Sequence, residues 1–403
     1  MPKIAFVINS LSNGGAERTI SNITNNLSGD YSCDIIVNSA SESFYKVRGN
    51  IISLGLNPER NKLKFGYQLK SFARRIFWLK RLKKNNNYDV VFSFSESASI
   101  ANVLSGKKNC KVVLSTRVHL SSMSNQWLYR VIGFPIIKRI YNRADKIVAV
   151  SEGVRCDLID NFGIREDLII TIPNGCDISR IEKLAFEEPN AMEKEALSGK
   201  NIIVTMGRLD YQKGQWHLIR ALTKIKEKEI DFKLLILGQG LLLERIRDIV
   251  VENNLQDNVF FMGFCENPFR ILRRADVYVL PSLFEGMGNS LIEAMACGLP
   301  CISTDHDSGA REILAPNTDV RIKNRNDIEY ANYGVLIPVP DGKFRTNHER
   351  LTNDEIVMAD AIEEMLTKKE IKDKYKQKSV ERARQMNSED VAIRWMNLIE
   401  GLL

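Results

Sequence analysis

Short apolar runs alternate with longer stretches of helical period along most of the chain, the pattern of strands followed by helices. In the first half, residues 3–10 (KIAFVINS), Cys33–Val37, Val90–Phe94, Lys111–Ser115 and Lys146–Val150 read as strands. Gly14 and Gly15 mark the first turn, and Ser12 or Asn13 is placed to cap a helix starting near Ala16. Helices are expected over Tyr67–Lys84 and Ile136–Asn142. After the turn-rich IPNGCDIS (172–179) the chain turns polar to about Lys200 with no strong apolar period, which reads as a linker. The alternation then restarts, with strands at Ile202–Met206, Phe232–Leu237, Val259–Met262, Ala275–Leu280 and Cys301–Thr304. Beyond 334–338 the chain is mainly helical, closing on 389–403, where Val391, Trp395, Leu398 and Leu402 share a face. The class is α/β, with parallel sheets wrapped by helices. The expected organisation is a domain over 1–180, a linker over 181–200, a second domain over 201–385 and a final helix over 386–403.

Length agrees, since 403 residues exceed one ordinary core. An apolar fraction of 44% and a charged fraction of 27% suit a water-soluble fold. Seven scattered cysteines with no CxxC repeat argue for a reduced compartment, without a disulfide frame or zinc site. No run approaches the roughly 18 apolar residues of a membrane span. The net charge of +7 is uneven: residues 1–180 hold 26 Lys and Arg against 14 Asp and Glu, the remainder 31 against 36. A basic first half implies an anionic partner, whether lipid headgroups, phosphates or nucleic acid. Within it, YQLKSFARRIFWLKRLKK (67–84) has apolar residues at 69, 72, 73, 76 and 79 and basic residues around much of the rest. Such a helix is either a solvated surface element or one that lies on an anionic membrane.

Candidate chemistry gathers around Pro281–Pro300, PSLFEGMGNSLIEAMACGLP. Glu285 falls in a Gly-rich loop after a strand, and Glu293 about one turn into the following helix. A loop acid beside a helix N-terminus suits a polyhydroxylated, phosphate-bearing ligand, although two carboxylates also fit an acid/base pair or metal ligands. Arg208 and Lys213, in GRLDYQKG (207–214), form a strand-to-helix loop able to hold a diphosphate. The Gly14–Gly15 turn is either a phosphate approach or a plain βα turn, and the dinucleotide fingerprint GxGxxG is absent. His119 follows a strand end, where open α/β sheets bind ligands. Asp305 and Asp307 form a DxD spacing, which we read as loop and helix-cap chemistry rather than a metal site.

GGAER (14–18), VSEGV (150–154), PNG (173–175), GRLDYQKG and EGMGNSLIEAMACGLP occur together in this order, and with them the chain resembles the GT-B glycosyltransferases, specifically glycosyltransferase family 4. The resemblance implies two Rossmann-like parallel-sheet domains facing each other across a cleft, and retaining transfer without a metal or other cofactor. It also implies roles by residue. Arg208 and Lys213 would bind the donor's diphosphate and stabilise the leaving group; Glu293 would hold the ribose; Glu285 and the backbone of Met287, Gly288, Asn289 and Ser290 would hold the donor sugar. His119 would lie near that sugar, Gly14 and Gly15 near the phosphates, and the acceptor on the first domain. The donor implied is a UDP-sugar carrying a galactose-type or N-acetylhexosamine residue, and the acceptor a polyprenyl-diphosphate-linked or other glycan of bacterial surface assembly. Many relatives have Pro where Gly288 stands, so the choice of sugar stays open. The expected setting is the cytoplasm, with the basic domain resting on the anionic inner face of the plasma membrane. Rival readings are a nucleotide-sugar 2-epimerase of the same architecture and a non-catalytic sugar-nucleotide-binding protein. Nucleic acid is set aside because no aromatic stacking motif accompanies the charge.

Overall fold

The computed structural model describes residues 1–12, 14–39, 45–56, 65–123, 133–323 and 326–403. It divides into a first unit, Met1–Gly175 with Ser388–Leu403, and a second, Cys176–Asn387. The first unit holds strands β1 (Lys3–Val7), β2 (Ser32–Val37), β3 (Asn50–Ser53), β4 (Val90–Phe94), β5 (Lys111–Thr116), β6 (Lys146–Ala149) and β7 (Ile169–Thr171). They form one parallel sheet in the order β3-β2-β1-β4-β5-β6-β7. Runs such as IAFV and VVFSF are apolar on both faces because helices cover both sides of a parallel sheet. The strand order reverses between β1 and β4, and such reversals open a crevice at the strands' carboxyl ends.

The final helix, Ser388–Glu400, belongs to the first unit. Its Trp395 is 1% exposed and packs its ring 5.9 Å from Phe92 and 6.0 Å from Phe94, while Phe6 stacks on Phe92 at 5.5 Å. Burying a side chain of that size contributes about 1.5–3 kcal/mol or more, enough to seat a short helix. The helix Phe65–Asn86 departs from the simple amphipathic picture. Leu79 is buried, but Leu69 and Phe77 are exposed, and two of its basic residues, Arg75 and Lys83, are inside. Burial pushes the Lys83 ammonium down to about 8, and it donates to the carbonyls of Asn102 and Gly106 at 2.8 Å each. At the first turn Gly14, not Ser12, occupies the cap position of the helix Gly15–Asn26; the Ser12 hydroxyl donates to Glu17 instead, and Asn13 lies outside the described residues.

The second unit repeats the plan with β8 (Ile202–Met206), β9 (Lys233–Leu237), β10 (Val259–Gly263), β11 (Val277–Leu280), β12 (Cys301–Thr304), β13 (Glu329–Tyr330) and β14 (Val335–Ile337), ordered β10-β9-β8-β11-β12-β14-β13. All pairs are parallel except β13 with β14, and the order reverses between β8 and β11. The polar stretch expected as a linker carries two helices of this unit, Ile178–Ala185 and Ala191–Ala196. Ile181 and Ala185 of the first and Ala196 of the second are buried, and caps and an ion pair add to that packing. Asp177 caps the first; Asn190 and Glu193 form a reciprocal box on the second; Arg270 pairs with Glu193 at 2.8 Å.

Candidate functional site

Strands β8 and β11 flank the reversal in the second sheet, and the loops leaving their carboxyl ends carry the two motifs. The β8 loop runs through a single 3₁₀ turn, Tyr211–Lys213, to Gly214 at φ 60°. A Cβ on Gly214 would lie 2.4 Å from the Pro281 carbonyl oxygen, so only glycine lets this loop press against the one leaving β11. That contact brings Lys213 to Glu285: Nζ lies 2.5 Å from Oε1, with the lysine side chain 14% and the glutamate 8% exposed. Ser282 Oγ donates to the same oxygen at 2.8 Å, and Gln212 Nε2 donates to Oε2 at 2.9 Å. Burial alone would raise the Glu285 carboxyl, but the Lys213 charge and the hydrogen bonds from Lys213 and Ser282 outweigh it, and it titrates below the ordinary carboxylate range. The carboxylate is therefore ionised at neutral pH, unsuited to donate a proton there. With three donors against about four lone-pair positions, it can still accept a ligand hydroxyl.

Arg208 stands at the start of the same loop and is exposed, with Asp210 at 3.2 Å and Gln212 at 3.4 Å. Its backbone carbonyl accepts from Gln215 at 2.9 Å, which fixes the loop while leaving the guanidinium on the surface. Beyond Glu285 the chain enters the helix Asn289–Ala296 through Gly288, at φ 79° and with no side-chain cap. Proline, locked near −65°, cannot take that conformation. Met287 is buried, Asn289 and Ser290 open the first turn, and Glu293 is half-buried one turn further on.

The DxD residues divide. Asp305 is buried and takes three hydrogen bonds from Arg311, at 2.6–3.2 Å, while Arg311 also reaches Glu329. Asp307 lies 3.5 Å from Lys323. Among the described residues, no three His, Cys, Asp or Glu side chains are gathered as a metal site requires. Between them His306 is 2% exposed, and neither ring nitrogen has a hydrogen-bond partner among the described residues. Burial holds its acid form down to about 4, against the charges of Glu285 and Asp305, so the ring is neutral at physiological pH. It borders a cleft of about 290 Å³ whose other walls include Leu283, Pro338, Val339, Asp307 and Lys323. Ser308 Oγ donates to the Glu285 carbonyl at 2.6 Å and ties this loop to the carboxylate's own. Gln212, Ser282, His306 and Ser308 were not singled out from the sequence. Gln212, flanked by Tyr211 and Lys213 in a loop already marked as chemical, carried the nearest thing to a signal.

Gly14, Gly15 and His119 belong to the first unit. Gly14 and Gly15 follow β1, and His119 follows β5, two strands away in that sheet. The His119 ring is engaged on both sides: Nδ1 is 2.7 Å from the Ser122 hydroxyl and Nε2 is 3.8 Å from the Asp157 carboxylate. Asp157 also accepts from Asn161 and from the Ser121 backbone, so the ring's orientation is set by a buried acid. Arg117, two residues earlier, donates to Thr19 and Asn174, tying the β5 loop to the helix after Gly15.

Residues 13–180 match the family Glycosyltransferase Family 4, and residues 187–335 match Glycosyl transferases group 1. The chain is 30% identical over 353 residues to the N-acetylgalactosamine-N,N'-diacetylbacillosaminyl-diphospho-undecaprenol 4-alpha-N-acetylgalactosaminyltransferase of Campylobacter jejuni, a match covering 86% of this chain and 92% of that protein. It is 28% identical over 379 residues to an uncharacterized glycosyltransferase of Methanocaldococcus jannaschii, covering 90% and 92%. Among solved structures, Anabaena HepE in complex with UDP superimposes with a TM-score of 0.71 at 16% identity, covering 99% of this chain and 100% of that one.

Proposed function

Because the chain belongs to the glycosyltransferases of the GT-B fold, we propose that it moves a hexose or N-acetylhexosamine from a UDP-sugar to a polyprenyl-diphosphate-linked or other glycan. The observation that carries this reading is the Lys213–Glu285 pair at the β8/β11 reversal, with Arg208 on the same loop and Glu293 on the adjoining helix. Lys213 and Arg208 neutralise the donor's diphosphate and the charge that grows on it as the glycosidic bond breaks, commonly the largest catalytic term. Glu285 accepts sugar hydroxyls, Glu293 accepts the ribose hydroxyls, and the backbone of Met287–Ser290 lines the sugar. Roles for Gly14, Gly15 and His119 toward the same donor rest on the family resemblance. We assign the chain to family 4 and its outcome to retention, the departing phosphate taking the acceptor's proton as the acceptor attacks from the same face. No metal or other cofactor enters this scheme, in keeping with the engagement of Asp305 by Arg311. The lipid-linked acceptor is supported by the Campylobacter relative's name, and UDP by its presence in the HepE structure.

The test is a panel of nucleotide sugars assayed with and without a polyprenyl-diphosphate-linked sugar. One UDP-sugar is expected to release UDP only when the acceptor is present, with the sugar recovered on the lipid. Epimerisation of UDP-GlcNAc without acceptor would favour the 2-epimerase, and tight donor binding with no release would favour a non-catalytic protein.

The basic first half is proposed to rest on the anionic inner face of the plasma membrane, keeping the protein cytoplasmic. Among the described residues no helix is long and apolar enough to cross a membrane. Leu69 and Phe77, exposed on the basic helix Phe65–Asn86, supply apolar contact. Sedimentation with phosphatidylserine vesicles is expected to fall steeply as salt rises from about 50 to 300 mM. Binding that is absent, or indifferent to salt, contradicts the membrane assignment.

A further inference from the structure

Resting on the donor reading above, we propose that His306 reads the transferred sugar, the cleft it borders receiving the pyranose ring and His306 deciding which hexose is accepted. A histidine that is 2% exposed with both ring nitrogens unpartnered among the described residues is unusual, since buried polar atoms are nearly always satisfied. Both nitrogens are themselves closed to solvent, but the residue borders an open cleft, so a turn of the ring toward the cleft lets a bound group supply the missing partners.

The chemistry of the walls narrows that group. A neutral imidazole offers one donor and one acceptor, matching a hydroxyl or an acetamido group, each of which does both. Leu283, Pro338 and Val339 form an apolar side suited to the C–H face of a pyranose, and Lys323 and Asp307 add a polar rim. The volume of about 290 Å³ is at the lower end for ligand pockets, which suits one sugar ring better than a whole nucleotide sugar. Position agrees: the His306 loop is bound to the Glu285 loop through Ser308, beside the carboxylate assigned to sugar hydroxyls. The remaining groups leave little overlap, because the diphosphate is assigned to Lys213 and Arg208 and the ribose to Glu293. Burial keeps the ring uncharged, so it selects by hydrogen-bond geometry rather than by charge.

Calorimetric titration of the full chain with UDP and with UDP-Glc, UDP-Gal, UDP-GlcNAc and UDP-GalNAc tests this. For the UDP-sugar bound best by the wild type, His306→Leu is expected to weaken affinity roughly tenfold and to flatten the preference among the four, with UDP affinity unchanged. His306→Asn should recover part of the loss. Val339→Phe, which narrows the cleft while leaving the histidine in the chain, should reproduce the sugar-specific loss and decides the matter if His306→Leu does not fold. A purely structural role would move the melting temperature and leave the ratio of UDP-sugar to UDP affinity alone. The proposal is overturned if both variants keep the wild-type ratios, or if only the KM for the acceptor changes. If the wild type binds neither UDP nor any of the four sugars, the donor reading itself fails, an outcome distinct from a wild type that binds and variants that do not differ.

Discussion

Replacing Lys213 with alanine is expected to lower kcat/KM for sugar transfer by about 10³-fold, in the range seen when a preorganised charge facing a leaving group is removed. Two effects add. The first is loss of the less exposed of the two cations assigned to the diphosphate, Arg208 on the same loop being open to solvent. The second falls on Glu285, which is 7% exposed and would be left as a buried carboxylate without its counter-charge. Stranding a buried charge in this way costs about 3–5 kcal/mol. Burial would then dominate the Glu285 titration and push its carboxyl up. In the wild type the carboxyl is held below its ordinary value, so the pair contributes stability above the ordinary carboxylate range and loses it as pH falls through the native value. The variant should lack that contribution and melt lower at pH 7 than the wild type. Lys213→Arg, which keeps the charge but not the compact ammonium, should fall between the two. Steady-state kinetics and thermal melting across pH 4–8 measure both effects. A kcat/KM within twofold of wild type would remove Lys213 from the reaction.

Much of the fold was legible because parallel strands buried on both faces advertise themselves as continuous apolar runs. Val90–Phe94, Ile202–Met206 and Cys301–Thr304 are strands over the same residues that their sequences suggest. Of the four strands that were not read, β14 is a buried apolar run of only three residues, and the other three lack that signal. β3 is an exposed edge with two isoleucines, β7 has three residues, and β13 has two. The helices at 178–185 and 191–196 were missed because they are short and set in a charged stretch: the first shows its apolar face only through Ile178, Ile181, Leu184 and Ala185, and the second through Ala196.

In the site, motif spacing pointed to Lys213 and Glu285 separately, but not to their pairing. That depends on Gly214 allowing two loops to touch so that residues 72 apart in sequence can pair. Nor does sequence reveal that Arg75 and Lys83 are buried, because a basic residue reads as solvated until its carbonyl partners are seen. His306 was hidden for the same reason. Within DHD it looked like a spacer between two acids, and only with Asp305 held by Arg311 and Asp307 beside Lys323 does the histidine stand out on the wall of the cleft as a group unpartnered among the described residues.

The second unit is proposed to grip a nucleotide sugar, with the ribose on Glu293 and the diphosphate on Lys213 and Arg208. Glu293 is half-buried on the helix Asn289–Ala296, so thermal melting of the variant is read beside its affinities. Hydrogen bonds to a charged acceptor contribute about 1.5–3 kcal/mol each, so losing those from the ribose should weaken binding by roughly 10–10²-fold. The loss should be equal for UDP and for the UDP-sugar, since both carry the ribose. The direct measurement is calorimetric titration of wild type and Glu293→Ala with UDP and with the UDP-sugar that supports transfer. Both affinities are expected to fall in parallel by more than any loss of melting temperature explains; affinities that match the wild type's would take the ribose off Glu293.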